Sequence, residues 1–309
     1  MLDLLRSLTA YQQIVADIKD GVRLPGLGLP RAVRLPILAA LHTDLNWPIL
    51  FVTDRADKAL LQLDELAFWA PSANRLYFPE PTPLFYEQAA WGTTTRRDRL
   101  LALTKLAVYH IPGICSLAQP AIWIAPVRAL MTRTLPRRDF LKHSRILRLG
   151  QQHQLENLKR SWVAIGYEAV EIVLEPGQFS HRGGLLDIWP PGEQLPVRLD
   201  FFGDEIETLR HFDPATQRTV QKLDHVLVMP AREVLPHRVE ELNLSLHNVD
   251  EFYLPLLHPQ PASLLEYLPQ QSLVVIDDLD HVQLLATEIE EQAVKLRNES
   301  IREGLLSDD

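Results

Sequence analysis

Three short, nearly unbroken apolar runs place the tightest constraint on how this chain folds: Trp47–Asp54, Pro120–Pro126 and Ser272–Asp277. A strand reads this way when both of its faces are buried, as in a parallel sheet covered on each side by its crossover helices. Helical stretches follow the first two runs, at Lys58–Phe68 and about Val127–Leu135, and a charged amphipathic helix, Asp280–Arg302, follows the third. The alternation predicts an α/β domain built on a parallel sheet. Between the first two runs, Phe78–Trp91 carries Pro79, Pro81 and Pro83 and breaks both periodicities, so it reads as a loop. Met1–Asp20 reads as one amphipathic helix; Asp3, Arg6, Asp17 and Lys19 make it unlike a secretory leader.

From about Arg145 to Ala231 the texture changes to short alternating segments divided by glycine, proline and aspartate. Helical spacing of Leu155, Leu158, Trp162 and Val163 opens this stretch, and four strands are expected after it: Ala169–Leu174, Phe179–Trp189, Pro196–Phe202 and Glu205–Phe212. Gly203-Asp204 has the residue types of a two-residue hairpin turn. After about Val234 the pattern returns to α/β, so the last apolar run is expected to rejoin the first sheet and leave the β-rich part as an insertion. Leu305–Asp309 brings no closing element, which reads as a cut inside a longer chain.

With 309 residues, 46% of them hydrophobic and 23% charged, the chain has enough apolar mass for about two cores. The formal charge of −9 argues against coating nucleic acid by bulk electrostatics. The single cysteine, Cys115, excludes an internal disulfide or a multi-cysteine zinc site and fits a reducing cytoplasm. No run of about 18 apolar residues is present, so no membrane span is expected.

The candidate chemistry is sparse. Gly26 and Gly28 lie in Arg23–Val33, where an α/β nucleotide-binding domain carries its phosphate loop. Leu29, Pro30 and Arg31 stand where such a loop needs a lysine and a hydroxyl, and Pro30 removes a backbone donor, so a plain turn or a decayed loop is expected. Asp277-Asp278 ends the third apolar run in the position of a Walker B acid, yet without those partners it reads as an ordinary polar loop. The eleven histidines, among them His42, His110, His181 and His211, form no tight ligand pair, and no nucleophile elbow occurs, so neither a metal nor a catalytic residue is assigned. The basic run Arg128–Arg148, with Arg133, Arg137, Arg138, Lys142 and Arg145 against Asp139, reads better as a solvated face than as a phosphate contact.

More informative is Pro196–Phe202. Alternation places Val197, Leu199 and Phe201 on one face and Arg198, Asp200 and Phe202 on the other. An aromatic beside an arginine on a polar face has the composition of a protein–protein hot spot, or equally caps a second packed layer. Arg182, before Gly183-Gly184, lies on the preceding strand candidate, near that face once the strands pair.

These residues lie in GQFSHRGGLLDIWPPGEQLPVRLDFFGDEIETLRHFDPATQRT, residues 177–219, which closely resembles the UvrA-interacting domain shared by the excision-repair helicase UvrB and the bacterial transcription-repair coupling factors. Weaker likeness follows in order through GLGLPRAVRLPILAAL, Ile49–Asp54, Ala125–Leu130, Leu264–Pro269 and Leu273–Asp278. Departures from UvrB at the phosphate loop and the acids, and the lack of an aromatic-rich hairpin, favour the coupling-factor side. The resemblance implies a degenerate RecA-like, P-loop NTPase-like parallel-sheet domain in two chain segments, 1–144 and 232–309, interrupted by a small β-rich α+β UvrA-interacting domain at 145–231. It also implies that Arg182, Arg198 and Phe202 contact UvrA, with no cofactor in this chain. ATP and magnesium, RNA polymerase and DNA would belong to downstream domains of the parent factor. The function so implied is recruitment of UvrA to stalled RNA polymerase; the competing reading is a fragment that still binds nucleotide through Gly26–Arg31.

Overall fold

The computed structural model describes residues 2–87, 89–115, 120–242 and 249–304; Leu305–Asp309 lies outside the described residues. The chain starts with helices α1 (Leu2–Arg6), α2 (Thr9–Lys19) and α3 (Arg31–Leu45), then β1 (Ile49–Thr53), α4 (Ala56–Trp69) and β2 (Asn74–Tyr77). It continues through α5 (Thr93–Ala107), β3 (Ala121–Pro126), α6 (Val127–Met131), α7 (Arg137–Lys142), β4 (Arg145–Arg148) and α8 (Leu155–Ala164). Seven strands follow: β5 (Glu168–Ala169), β6 (Gln178–Arg182), β7 (Leu185–Ile188), β8 (Val197–Phe202), β9 (Glu205–Phe212), β10 (Thr219–Lys222) and β11 (His225–Val228). Short helices α9 (Pro236–Glu241) and α10 (Leu254–Leu257), strand β12 (Leu273–Ile276) and the long α11 (Leu279–Arg302) complete it.

Contacts divide the chain into two compact units, Met1–Tyr86 with Ser116–Thr132 and Leu268–Asp309, and Glu87–Cys115 with Arg133–Tyr267. In the first, among the described residues, a four-stranded sheet has the order β12-β1-β3-β2 with every pairing parallel. All of β1 and β3 is buried, as their unbroken apolar sequences require. The third apolar run does rejoin the first sheet, with Leu273–Ile276 beside Ile49–Val52. Helices α2, α3 and α4 supply Tyr11, Ile18, Leu35, Leu38, Leu41, Ala59 and Leu66 to the core on Ile49, Phe51, Ile122 and Ile124. The expected single N-terminal helix is two helices, separated where Ser7 Oγ donates to Leu4 O at 2.7 Å.

In the second unit, a six-stranded sheet runs β10-β9-β8-β7-β6-β5, and β4 pairs antiparallel with β11. Every pairing in the larger sheet is antiparallel except β5 with β6. Phe179, Leu186, Ile188, Val197, Leu199, Phe201, Ile206 and Leu209 share one core with Leu158 and Trp162 of α8. Phe179–Trp189, expected as a single strand, is the β6–β7 hairpin. Gly183 turns the chain at φ +61°, which the alternation of its neighbours does not register. At Gly184 a methyl group would lie 2.8 Å from Phe201 O, and Phe201 N donates to Gly184 O at 2.8 Å. The expected strand Ala169–Leu174 is confined to Glu168–Ala169, because Gln178 Oε1 accepts from the amides of Leu174 and Glu175 and closes a turn there.

Candidate functional site

The outer face of the six-stranded sheet gathers the three residues singled out in the sequence. Cross-strand partners share a face, and Arg182 lies in register with Leu185, which lies in register with Asp200. One step along, Ser180, Asp187, Arg198 and Arg210 form the neighbouring row. Alternation along β8 then adds Phe202, so Arg182, Arg198 and Phe202 stand on one face. Val197, Leu199 and Phe201 are buried on the other, as expected. Gly203, at φ +61°, turns β8 into β9 directly after Phe202.

The three differ in what they offer. Phe202 is 80% exposed, a large apolar side chain held in solvent by the end of a strand. Arg182 is exposed, with Nη2 donating to Glu171 O at 2.6 Å. Arg198 is largely enclosed, its side chain 16% exposed. Its Nε and Nη2 each reach a different Asp187 oxygen at 2.7 Å, Nη2 also reaches Gln217 Oε1 at 2.8 Å, and its guanidinium carbon lies 4.3 Å from the Phe212 ring centre. The Asp187 hydrogen bonds raise the Arg198 pKa further, so the guanidinium keeps its charge. Asp200 pairs with Arg210 and Thr208 beside it. Burial pushes the Asp200 carboxyl up, but those hydrogen bonds outweigh it and hold the group below its ordinary value. Arg198 and Arg210, directly opposite each other, are thus each neutralised by an aspartate.

Asp187 and Gln217 were not singled out in the sequence. Asp187 was obscured by reading one strand where there are two. Gln217 lies in the turn between β9 and β10, and nothing in its local sequence says that it reaches β8.

In the parallel-sheet unit, Gly26 and Gly28 lie in the segment between α2 and α3, with Gly28 at φ +56° and open space around both. Arg31 is the first residue of α3, whose preceding residue, Pro30, makes no side-chain cap. At the end of β12, Asp277 is buried and both its oxygens are engaged: Oδ1 by Arg34 Nη1 at 2.7 Å, Oδ2 by Lys58 Nζ at 3.0 Å and Gln62 Nε2 at 2.8 Å. Burial raises this carboxyl, and the three donors more than reverse the effect. Asp278, at φ +63°, meets His281 Nδ1 at 2.9 Å. A magnesium–nucleotide site needs a free acidic oxygen, a lysine and a hydroxyl, and these residues do not fit one. Asp277 is thus more than the ordinary loop acid read from sequence, since protein cations surround it. Among the described residues, no group of three or more His, Cys, Asp or Glu is arranged to hold a metal ion. No described helix is long and apolar enough to cross a membrane.

Residues 146–234 match the family model described as UvrB interaction domain. The chain is 35% identical over 233 residues to the transcription-repair-coupling factor of Myxococcus xanthus, covering 73% of this chain and 19% of that protein. Against the same factor of Escherichia coli (strain K12) it is 37% identical over 148 residues, 48% of this chain and 12% of that one. Against that of Bacillus subtilis (strain 168) it is 24% identical over 340 aligned positions, 97% of this chain and 28% of the relative. The chain therefore spans less than a third of the length of these curated relatives. Residues 146–234 thus belong to the UvrB interaction domain family, within a chain similar to transcription-repair-coupling factors along nearly its whole length.

Proposed function

We propose that this chain is a non-catalytic module that recruits UvrA in transcription-coupled nucleotide excision repair, docking it where a coupling factor meets a stalled RNA polymerase. The observation that carries the reading is Phe202, 80% exposed on the polar sheet face that also carries Arg182 and Arg198, inside the stretch that matches the UvrB interaction domain. A bare aromatic on a face that also carries arginines has the composition of an interface anchor. In this reading residues 145–231 are the docking domain, and segments 1–144 and 232–309 form a RecA-like support without nucleotide. ATP, magnesium, DNA and RNA polymerase belong to other parts of a longer factor. The support for a silent nucleotide site is Asp277, whose oxygens are held by Arg34, Lys58 and Gln62.

Titration of the chain with purified UvrA, by calorimetry or interferometry, tests the proposal. Saturable binding that Phe202→Ala weakens in a folded protein supports it. No binding by the wild type, or equal binding by the variant, overturns it.

A further inference from the structure

We infer that Gln217, with Asp187, is a positioning residue that locks Arg198 so that only its Nη1 edge is offered to a partner; the inference rests on the UvrA-docking reading above. Arginine has five N–H donors in a rigid plane. Three of them are used within the chain: Nε–H and one Nη2–H by the two oxygens of Asp187, and the second Nη2–H by Gln217 Oε1. The two on Nη1 make no hydrogen bond among the described residues. One face of the plane is stacked at 4.3 Å against Phe212. A side chain with several soft torsions is thereby held in one orientation before any partner arrives, which removes the ordering cost from binding.

Gln217 is an unusual residue to do this. Its φ is +60°, a left-handed conformation rare outside glycine and asparagine. Such a conformation persists where the surroundings over-determine it, and it marks function more often than chance. Here the amide fixes it from both ends: Oε1 accepts from Arg198, and Nε2 donates to Pro214 O at 2.8 Å. The turn is further tied by Gln217 N to Asp213 O at 2.8 Å and by Asp213 Oδ1, which accepts from Thr216 N at 2.7 Å and Thr216 Oγ1 at 3.0 Å. Strain at the backbone is thus exchanged for a side chain that reaches across to β8. The group Nη1 fits is a hydrogen-bond acceptor, and since Asp187 already neutralises the guanidinium, a backbone or amide carbonyl suits it as well as a carboxylate.

Two substitutions separate positioning from turn structure. Gln217→Gly removes the reach to Arg198 and also relieves the left-handed backbone, so the domain keeps or gains thermal stability. UvrA binding nonetheless weakens by about three- to tenfold, the scale of one ordinary intramolecular hydrogen bond. Gln217→Glu keeps an acceptor for Arg198 and gives up the donor to Pro214, and it restores binding to within about twofold of wild type. A role confined to the turn predicts the reverse order. Wild-type binding by Gln217→Gly, in a titration where Phe202→Ala loses binding, overturns the inference and leaves the docking reading standing. Wild-type binding by Phe202→Ala, or no binding by the wild type, overturns the docking reading and the inference with it.

Discussion

Lys58 Nζ lies 3.0 Å from Asp277 Oδ2 and 3.1 Å from Asp54 Oδ1, so one lysine of α4 ties together the residues that follow two neighbouring parallel strands. With Arg34 on its other oxygen, both oxygens of Asp277 are engaged by protein donors.

Asp277→Asn removes the charge that both cations face. The expected loss of folding stability is about 2 kcal/mol, below the full cost of breaking a buried pair, because Arg34 is 31% exposed and Lys58 keeps Asp54. Urea denaturation of the two proteins measures it; an unchanged midpoint would show that the cluster contributes nothing net.

The same cluster predicts that magnesium–ATP at millimolar concentration leaves the melting temperature where it is. A ligand that binds only the folded state must raise it by mass action. A reproducible upward shift would revive the nucleotide-binding reading of Gly26–Arg31.

Phe202→Ala and Arg182→Ala should change stability by less than about 0.5 kcal/mol, since both side chains are exposed. Phe202→Ala should still cost roughly 1–4 kcal/mol in UvrA binding, the range of hot-spot truncations. Arg198→Ala differs from both. It leaves Asp187 buried without its partner, so stability and binding fall together, and circular dichroism melting alongside the titration tells the two classes apart.

Stability should decline with acid in two stages. Burial keeps His42, His110, His143 and His258 below their ordinary value of 6.5, so the unfolded chain binds protons on them first. Their contribution is complete above 6.5 and is lost as the pH falls below it; the raised pKa of exposed His281 opposes this weakly. Asp44, Asp200 and Asp277 lie below 3.8 because their hydrogen-bond donors outweigh burial, and their contribution is lost as the pH drops through that lower range. Glu80 and Glu251, raised by burial, act in the opposite sense and shallow the second stage. Urea midpoints at about pH 7.5, 5.5 and 3.5 resolve the two stages, and a flat response between the first two points would refute the histidine part.

The parallel sheet was legible because β1 and β3 are buried on both faces, and burial of that kind writes itself into sequence as an apolar run. The same logic separated Val197, Leu199 and Phe201 from Arg198, Asp200 and Phe202, since a period of two needs only one strand to be read. Neither signal extends to the β6–β7 turn, where two glycines interrupt an otherwise continuous pattern. Nor does periodicity show what a polar side chain touches across strands. Sequence shows Arg198 only as an arginine on a polar strand face, and its held orientation appears only when Asp187, eleven residues back, and Gln217, nineteen residues on, are folded against it. The ring of donors around Asp277 is of the same kind, because Arg34 is 243 positions away in the chain.

Gly184 has no side chain to offer UvrA or anything else, yet it limits how this surface can change. Its carbonyl holds Phe201 N at 2.8 Å, and the space where a methyl would sit is taken by Phe201 O. Any larger residue there would have to lift the tip of the β6–β7 hairpin away from β8, and Arg182, two positions earlier, would travel with it. The distance between Arg182 and Phe202 is therefore gauged by a backbone contact, and variation at 184 would act as a change of spacing on this sheet face without altering either side chain.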